Sequence, residues 1–364
     1  MTQVSPHKKS IWSIFLLAVI FFLALVALME LVARTSWFGQ VSPYRSVGNY
    51  HYQFEIKWFR LQDYVKQNGG VDIIVLGSSL VNTSIDPDIV SQTYHEQTGV
   101  SPRIFNFGVE GITVAPNSVI ASLLVERYHP ALLIYTTEMR DYITGNGLDY
   151  EMRFLSDPWF RYQRGDFSLF GWLVDHSAVL QHYLPYRNWM RSDYSETMAL
   201  YIKRYQDTSA SGYEPDSMIG VNVDVPPDPN DSEEAQYFNA YGNYQIATSR
   251  LDNLKSILDF NQNQGTTVLV VEMPVHQTFY AYVGGEEVHI QFQQTISSLI
   301  AANGGTFLPA EACINTIPLS GRSNRWHLNY LGTPVFSKCL GEQLVVLADQ
   351  QNIDFNSSNT GGSR

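Results

Sequence analysis

Residues Val71–Leu80 read VDIIVLGSSL, an apolar run closed by a glycine and two serines. Val71–Gly77 is short, rich in β-branched side chains and preceded by Gly69-Gly70, the pattern of a buried strand. Asp86-Pro87 follows, an aspartate suited to an N-cap and a proline suited to the first helical turn, and predicts a helix through about Gln97. The same alternation continues outward. Arg103–Val109 (RIFNFGV) predicts a second strand, Pro116–Tyr128 a helix and Ala131–Thr137 (ALLIYTT) a third strand, with Gly or Pro in each connection. Later stretches predict a helix over about Tyr244–Asn263, a strand at Thr266–Met273, a short strand near Thr306–Pro309 and a terminal helix around Thr333–Asp349. Alternating β and α implies a parallel sheet covered on both faces. The expected fold is α/β: a doubly wound, flavodoxin-like parallel sheet of about five strands, with an N-terminal transmembrane helix and an aromatic-rich, partly helical insertion.

From Ile11 to Met29 the chain carries no charge for 19 residues, enough to cross the roughly 30 Å hydrocarbon core of a bilayer. A cleaved signal peptide is the alternative, but its apolar region usually runs about 7–15 residues and ends in a small-x-small site. Lys8 and Lys9 precede the run and only Arg34 follows closely, so the positive-inside bias puts the N-terminus in the cytoplasm and the main domain outside. The expected organisation is a cytoplasmic N-terminus (1–10), a membrane anchor (11–33), a juxtamembrane segment (34–70), the α/β domain (71–350) and a disordered tail (351–364). A net charge of −12, with 23 Lys+Arg against 35 Asp+Glu, argues against a nucleic-acid partner. Cys313 and Cys339 fall on the expected oxidising side, which permits a disulfide; two buried free thiols are the other reading.

Between 142 and 242 the alternation stops and aromatic residues such as Trp159, Phe160, Phe170 and Trp172 accumulate. This insertion reads either as a hydrophobic satellite core or as a lid or surface for sugar or lipid. Within it Asn222–Glu234, with prolines and acids but no periodicity, reads as a surface loop.

The carboxyl end of a first parallel strand is where an exposed serine oxygen meets backbone N–H donors, and Gly77-Ser78-Ser79-Leu80 stands there. Asn106-Phe107-Gly108 ends the second strand, where a glycine lets backbone approach a ligand closely. Trp326-His327-Leu328-Asn329 lies between the last strand and last helix, the one place from which a histidine returns to the same sheet edge. In this order the three stations resemble the SGNH (GDSL-like) hydrolase family: GDSL as GSSL, N-x-G as Asn106–Gly108, and D-x-x-H as Asn324–His327. The resemblance spans roughly residues 70–140 and 265–345.

It implies Ser79 as nucleophile, His327 as general base, and the Ser79 and Gly108 N–H groups as oxyanion donors. Two stations depart from the pattern: Arg140 stands where the family has asparagine, and Asn324 where it has the aspartate of the triad. Arginine still holds developing negative charge and asparagine still orients an imidazole by hydrogen bonding. Glu272 or Asp141 is a possible substitute carboxylate. His276, after the strand Thr266–Met273, also faces the functional edge as a substrate-binding candidate. No cluster has metal-ligand spacing, and no cofactor is expected.

Within the family the chain is most similar to membrane-anchored proteins of surface-polymer acylation, such as those of alginate acetylation and teichoic-acid D-alanylation. That resemblance implies an acyl-ester transferase or esterase acting on cell-surface polysaccharide or its acyl donor, beside a multispanning membrane acyltransferase. Two other readings stay open. One is a non-catalytic glycan-binding or envelope-assembly scaffold; the other is a lipid esterase with the aromatic insertion as its lid.

Overall fold

The computed structural model describes residues 11–49, 51–143, 151, 154–190 and 195–355. The N-terminal segment 1–10 and the expected disorder from Asn356 onward lie outside the described residues. Two compact units are present: one takes residues up to 50 with 157–200, the other 51–156 with 201 onward. The stretch read as an insertion therefore divides, its 157–200 part grouping with the N-terminal helix.

The larger unit holds a five-stranded parallel sheet in the order β2-β1-β3-β4-β5. Its strands are β1 (Ile73–Gly77), β2 (Ile104–Gly108), β3 (Leu132–Thr137), β4 (Thr267–Glu272) and β5 (Thr306–Leu308). Every residue of β1, β2 and β3 is buried, as expected of strands covered on both faces. This is the flavodoxin-like order, in which the chain leaves β1 to form β2 on one side and then returns to place β3 on the other. Side chains after β1 and β3 thus meet over one crevice at the carboxyl edge.

Asp86 caps the helix Pro87–Thr98 through the Asp88 N–H, as its sequence position predicts. The connection before it is not a plain turn. Ser78 caps a six-residue helix, Ser79–Ser84, so Ser79 is the first residue of a helix directly after β1. Two glycines permit this. A Cβ at Gly77 would lie 2.1 Å from Thr136 Oγ1, and one at Gly108 2.3 Å from the Asn82 backbone nitrogen.

Three expectations need revision. The juxtamembrane stretch contains the helix Tyr52–Asn68, which buries Phe54, Trp58 and Phe59 in the sheet-bearing unit. The helix expected over Tyr244–Asn263 begins at Thr248 and breaks after Leu258. Asn222–Glu234 is loop only as far as Asp231, which caps the helix Ser232–Tyr241. A further helix, Glu286–Ala302, flanks the sheet with His289, Phe292, Ile296 and Ile300 buried along one face.

In the smaller unit, Ile11–Ala33 is one helix, long and apolar enough to cross a membrane. The segment 157–190 adds the helices Pro158–Gln163, Leu169–His176 and Ala178–Trp189. Trp159 and Phe160 are fully buried there, and the Trp159 indole N–H donates to Asp175 at 3.0 Å. These two form the satellite core, whereas Phe167, Leu169 and Trp172 are exposed.

Cys313 and Cys339 are disulfide-bonded, 26 residues apart, which excludes the free-thiol reading. The bridge ties the segment after β5 to the helix Gly332–Gln351, so it closes the loop that carries His327. Closing a loop of this length in the unfolded chain stabilises by roughly 3–4 kcal/mol on the chain-entropy account. Cys339→Ser is therefore expected to lower the urea midpoint of the full-length protein while leaving its far-UV circular dichroism unchanged. An unchanged midpoint would show that the loop is held without the bridge.

Candidate active site

Ser79 and His327, 248 residues apart in sequence, meet at the carboxyl edge of the sheet with Nε2···Oγ 2.9 Å. Ser79 is 8% exposed. As the first residue of its helix, its N–H has no intrahelical acceptor and is free to face a bound group.

The His327 loop is held from several sides. Asn329 is fully buried; its amide donates to the Ser320 and Arg322 carbonyls and accepts from the Leu331 N–H. Leu328 N–H donates to Ser84 Oγ at 3.4 Å and Thr333 Oγ1 to the Thr83 carbonyl at 2.7 Å, tying the loop to the serine helix.

Asn324 stands beside His327 in an orientation that its neighbours dictate. Its Oδ1 accepts the Trp326 and His327 backbone N–H groups, at 3.0 and 2.7 Å. Turning the amide over would aim its NH₂ at both donors. The Nδ2 group consequently faces His327 Nδ1, 3.1 Å away. An amide N–H is only a donor, so Nδ1 must accept and the neutral imidazole carries its proton on Nε2. In this state His327 donates to Ser79 Oγ. That is the reverse of the polarity a general base needs.

Burial, then the positive charge of Arg140, lowers the His327 pKa to about 4, with Asp216 opposing them. Asp216 is the carboxylate whose charge acts on the imidazole, and the sequence reading missed it. Neither expected substitute is bonded to His327 among the described residues, although Asp141 keeps a buried Oδ1 without a hydrogen-bond partner there. Glu272 accepts from His289 Nε2 at 2.6 Å, Gln293 Nε2 at 2.7 Å and the Ala310 N–H at 3.2 Å. Asp141 accepts the Glu138 N–H in a reciprocal cap at the turn Met139–Tyr142.

Arg140 lies on that turn, just after β3, with Nη2 3.0 Å from Glu138 Oε1. Its Nε is buried and has no hydrogen-bond partner among the described residues, leaving a donor for an anionic group. Gly108 differs from expectation. Its N–H donates to Asn106 Oδ1 at 2.9 Å, so it is turned into the protein and is not presented as an oxyanion donor. Asn106 Nδ2 in turn donates to the Val81 and Ile85 carbonyls, both at 2.7 Å, and so fixes the serine helix. His276 caps the turn Gln277–Val283, its ring Nδ1 accepting the Thr278 N–H and pairing with Thr278 Oγ1 at 2.8 Å, while its backbone N–H donates to the Arg325 carbonyl. Its described contacts are structural, and they brace the His327 loop.

Beside Asn324 opens a cleft of about 320 Å³ whose lining includes Glu233, Gln236, Tyr237, Tyr282, Arg325 and Trp326. The rings of Tyr237 and Trp326 meet edge-on at 5.0 Å, and Arg325 is held by Glu234 and the Tyr282 hydroxyl at 2.7 and 3.0 Å. These residues come from three separate segments, and no single one of them marks the cleft in the sequence.

No family model and no curated protein matches the chain. Among solved structures it is similar to a candidate platelet activating factor from Streptococcus pneumonia, at 13% identity and a TM-score of 0.36, over 80% of this chain and 92% of that one. It is also similar to a gut microbial diltiazem-metabolizing enzyme, at 12% identity and a TM-score of 0.36, over 78% of this chain. The chain spans 47% of the length of that enzyme.

Because the His327 pKa is lowered, acidification leaves the imidazole neutral well below the usual histidine range. Fluorophosphonate labelling of Ser79, at whatever rate it proceeds, is expected to hold from pH 7 to 5 and to fall with a midpoint near 4. A midpoint near 6.5 would show an imidazole that water reaches freely.

Proposed function

We propose that this chain is an extracytoplasmic serine-dependent acyl-ester transferase or esterase acting on cell-surface polysaccharide, anchored by Ile11–Ala33. The observation that carries the reading is the 2.9 Å contact between Ser79 Oγ and His327 Nε2 at the crevice where the strand order reverses. Ser79 attacks the acyl carbonyl, the ester C–O bond breaks and the donor alcohol leaves with the proton taken from Ser79, and water or a sugar hydroxyl then takes the acyl group as its own proton returns to Ser79 Oγ. The Ser79 N–H and the Arg140 guanidinium hold the oxyanion. The aromatic and polar cleft beside Asn324 supports a sugar-bearing substrate, since aromatic faces and a few polar groups suit pyranose rings. The polysaccharide class and a multispanning acyltransferase partner rest on the family resemblance.

For Ser79 to lose its proton to His327, the imidazole must present a lone pair at Nε2 and carry its proton on Nδ1. The Asn324 amide opposes that tautomer. An acid-to-amide change at this position of a serine triad costs about 10⁴ in turnover. The proposed enzyme is therefore slow in the isolated chain. The same observation favours a second reading, a non-catalytic glycan-binding scaffold in the envelope.

Asn324→Asp separates the two. An aspartate keeps one oxygen on the Trp326 and His327 N–H groups and offers the other to Nδ1–H, which restores the productive tautomer and stabilises the imidazolium. Turnover of an acetyl ester is expected to rise at least tenfold, about 1.4 kcal/mol of transition-state stabilisation, and the gain should vanish with Ser79→Ala. The substituted site should also label at Ser79 and not at Ser78. No ester turnover in either form, with glycan binding retained, would establish the scaffold reading.

A further inference from the structure

Glu30 is the first charged residue after Lys9. From Ile11 to Glu30 a helix rises about 30 Å, the thickness of the hydrocarbon core, which sets Glu30 at the outer boundary. Its carboxylate is fully engaged there, accepting from Ser177 Oγ and from the Ala178 and Val179 N–H groups that begin the helix Ala178–Trp189. One turn on, Arg34 Nη2 donates to the His176 carbonyl at 2.6 Å, the end of the helix Leu169–His176. Two helices are thus fastened by their adjoining ends to the outer end of the apolar helix. Removing Ile11–Ala33 as a signal peptide would strip away the Glu30 bonds.

What this small unit leaves uncovered is apolar: Phe167 is 81%, Val41 64%, Trp37 63% and Trp172 43% exposed. Apolar surface of this density marks an interaction site, and tryptophan is enriched where a protein meets the membrane interface. Between Ile11–Ala33 and Ala178–Trp189 lies a cavity of about 380 Å³, lined by Leu28, Met29, Val32, Phe38, Val179 and Tyr183 among others. Its deeper polar groups satisfy one another: Ser42 Oγ is 3.0 Å from the Tyr186 hydroxyl and 3.5 Å from His182 Nδ1. Four of the lining residues, Leu28, Met29, Val32 and Ala33, belong to Ile11–Ala33, so an anchored helix would set the cavity at the edge of the hydrocarbon.

We propose that Ser36–Val41, Leu169–His176 and Ala178–Trp189 form a membrane-interface platform. Their exposed apolar side chains lie in the outer leaflet, and the cavity takes a phospholipid acyl chain. The inference rests on the reading of Ile11–Ala33 as an anchor. Trp37 and Trp172 are exposed aromatics of this platform, and interfacial helices sit about 5–10 Å into the headgroup boundary.

The test uses the full-length protein in phosphatidylcholine vesicles, with an environment-sensitive nitrobenzoxadiazole label on a single introduced thiol. Labels are placed at Phe21→Cys in the anchor, at Leu169→Cys and Trp172→Cys on the platform, at Tyr183→Cys in the cavity, and at Ser298→Cys on the sheet-bearing unit. Labels at 21, 169, 172 and 183 are expected to lose most of their emission with acyl-brominated lipid and to resist aqueous iodide, with the reverse at 298. If label 21 is quenched by lipid while labels 169, 172 and 183 respond to iodide like 298, the platform is wrong and the anchor stands. Protection from both quenchers at 169 and 172 would mean a protein cover and would equally overturn the proposal. Absence of lipid quenching at 21 would remove the anchor and the platform together.

Discussion

The hydrogen bond between His327 Nε2 and Ser79 Oγ joins the first strand of the sheet to its last connection, and the fold is the means of making it. In a parallel sheet every strand ends at the same edge, so residues far apart in sequence are delivered to one crevice without any local signal between them. The delivery has to be accurate to a fraction of an ångström. Asn106 supplies part of that accuracy by fastening the carbonyls of Val81 and Ile85, and Gly77 and Gly108 supply the rest by letting β1 and β2 approach the serine helix. On the histidine side, Asn329, Ser84 and the disulfide constrain one loop from three directions. The buried hydrogen-bonding groups of this region are spent on holding Ser79 and His327 in register.

The strands and the positions of Ser79 and His327 were legible because they depend on pattern: short apolar runs ending in small residues, and one histidine in the connection that returns to the edge. Direction was not legible. Asn106–Gly108 has the spacing of an oxyanion station, yet its Gly108 N–H points at Asn106 Oδ1, a matter of torsion angles that composition does not carry. Asp216 was hidden for a different reason, since it lies on an irregular segment whose charge reaches His327 only through tertiary packing. The helix Glu286–Ala302 has a regular buried face, but the glutamines and serines between His289, Phe292, Ile296 and Ile300 obscured its period. Tyr52–Asn68 lies within the stretch expected to be juxtamembrane, and its dense aromatic content hid the helical face that buries Phe54, Trp58 and Phe59.

The two departures from the family pattern act on the same imidazole with the same sign. Arg140 adds a positive charge near a buried ring and Asn324 contributes no negative one, so both disfavour the imidazolium that general-base catalysis forms. Arg140 has a compensating use, because a guanidinium with a buried, unpaired Nε is suited to a developing oxyanion. The site therefore has strong means of holding negative charge on substrate and weak means of accepting the serine proton.

Asn324, locked by the Trp326 and His327 N–H groups, places the His327 proton on Nε2. Nitrogen-15 resonances of histidine-labelled protein at neutral pH, assigned by comparison with His327→Gln, read that proton directly. A protonated, pyrrole-type Nε2 and an unprotonated, pyridine-type Nδ1 are expected at His327. A pyrrole-type Nδ1 would contradict that placement, because Asn324 would then be accepting from the ring and His327 would already be set to take the Ser79 proton.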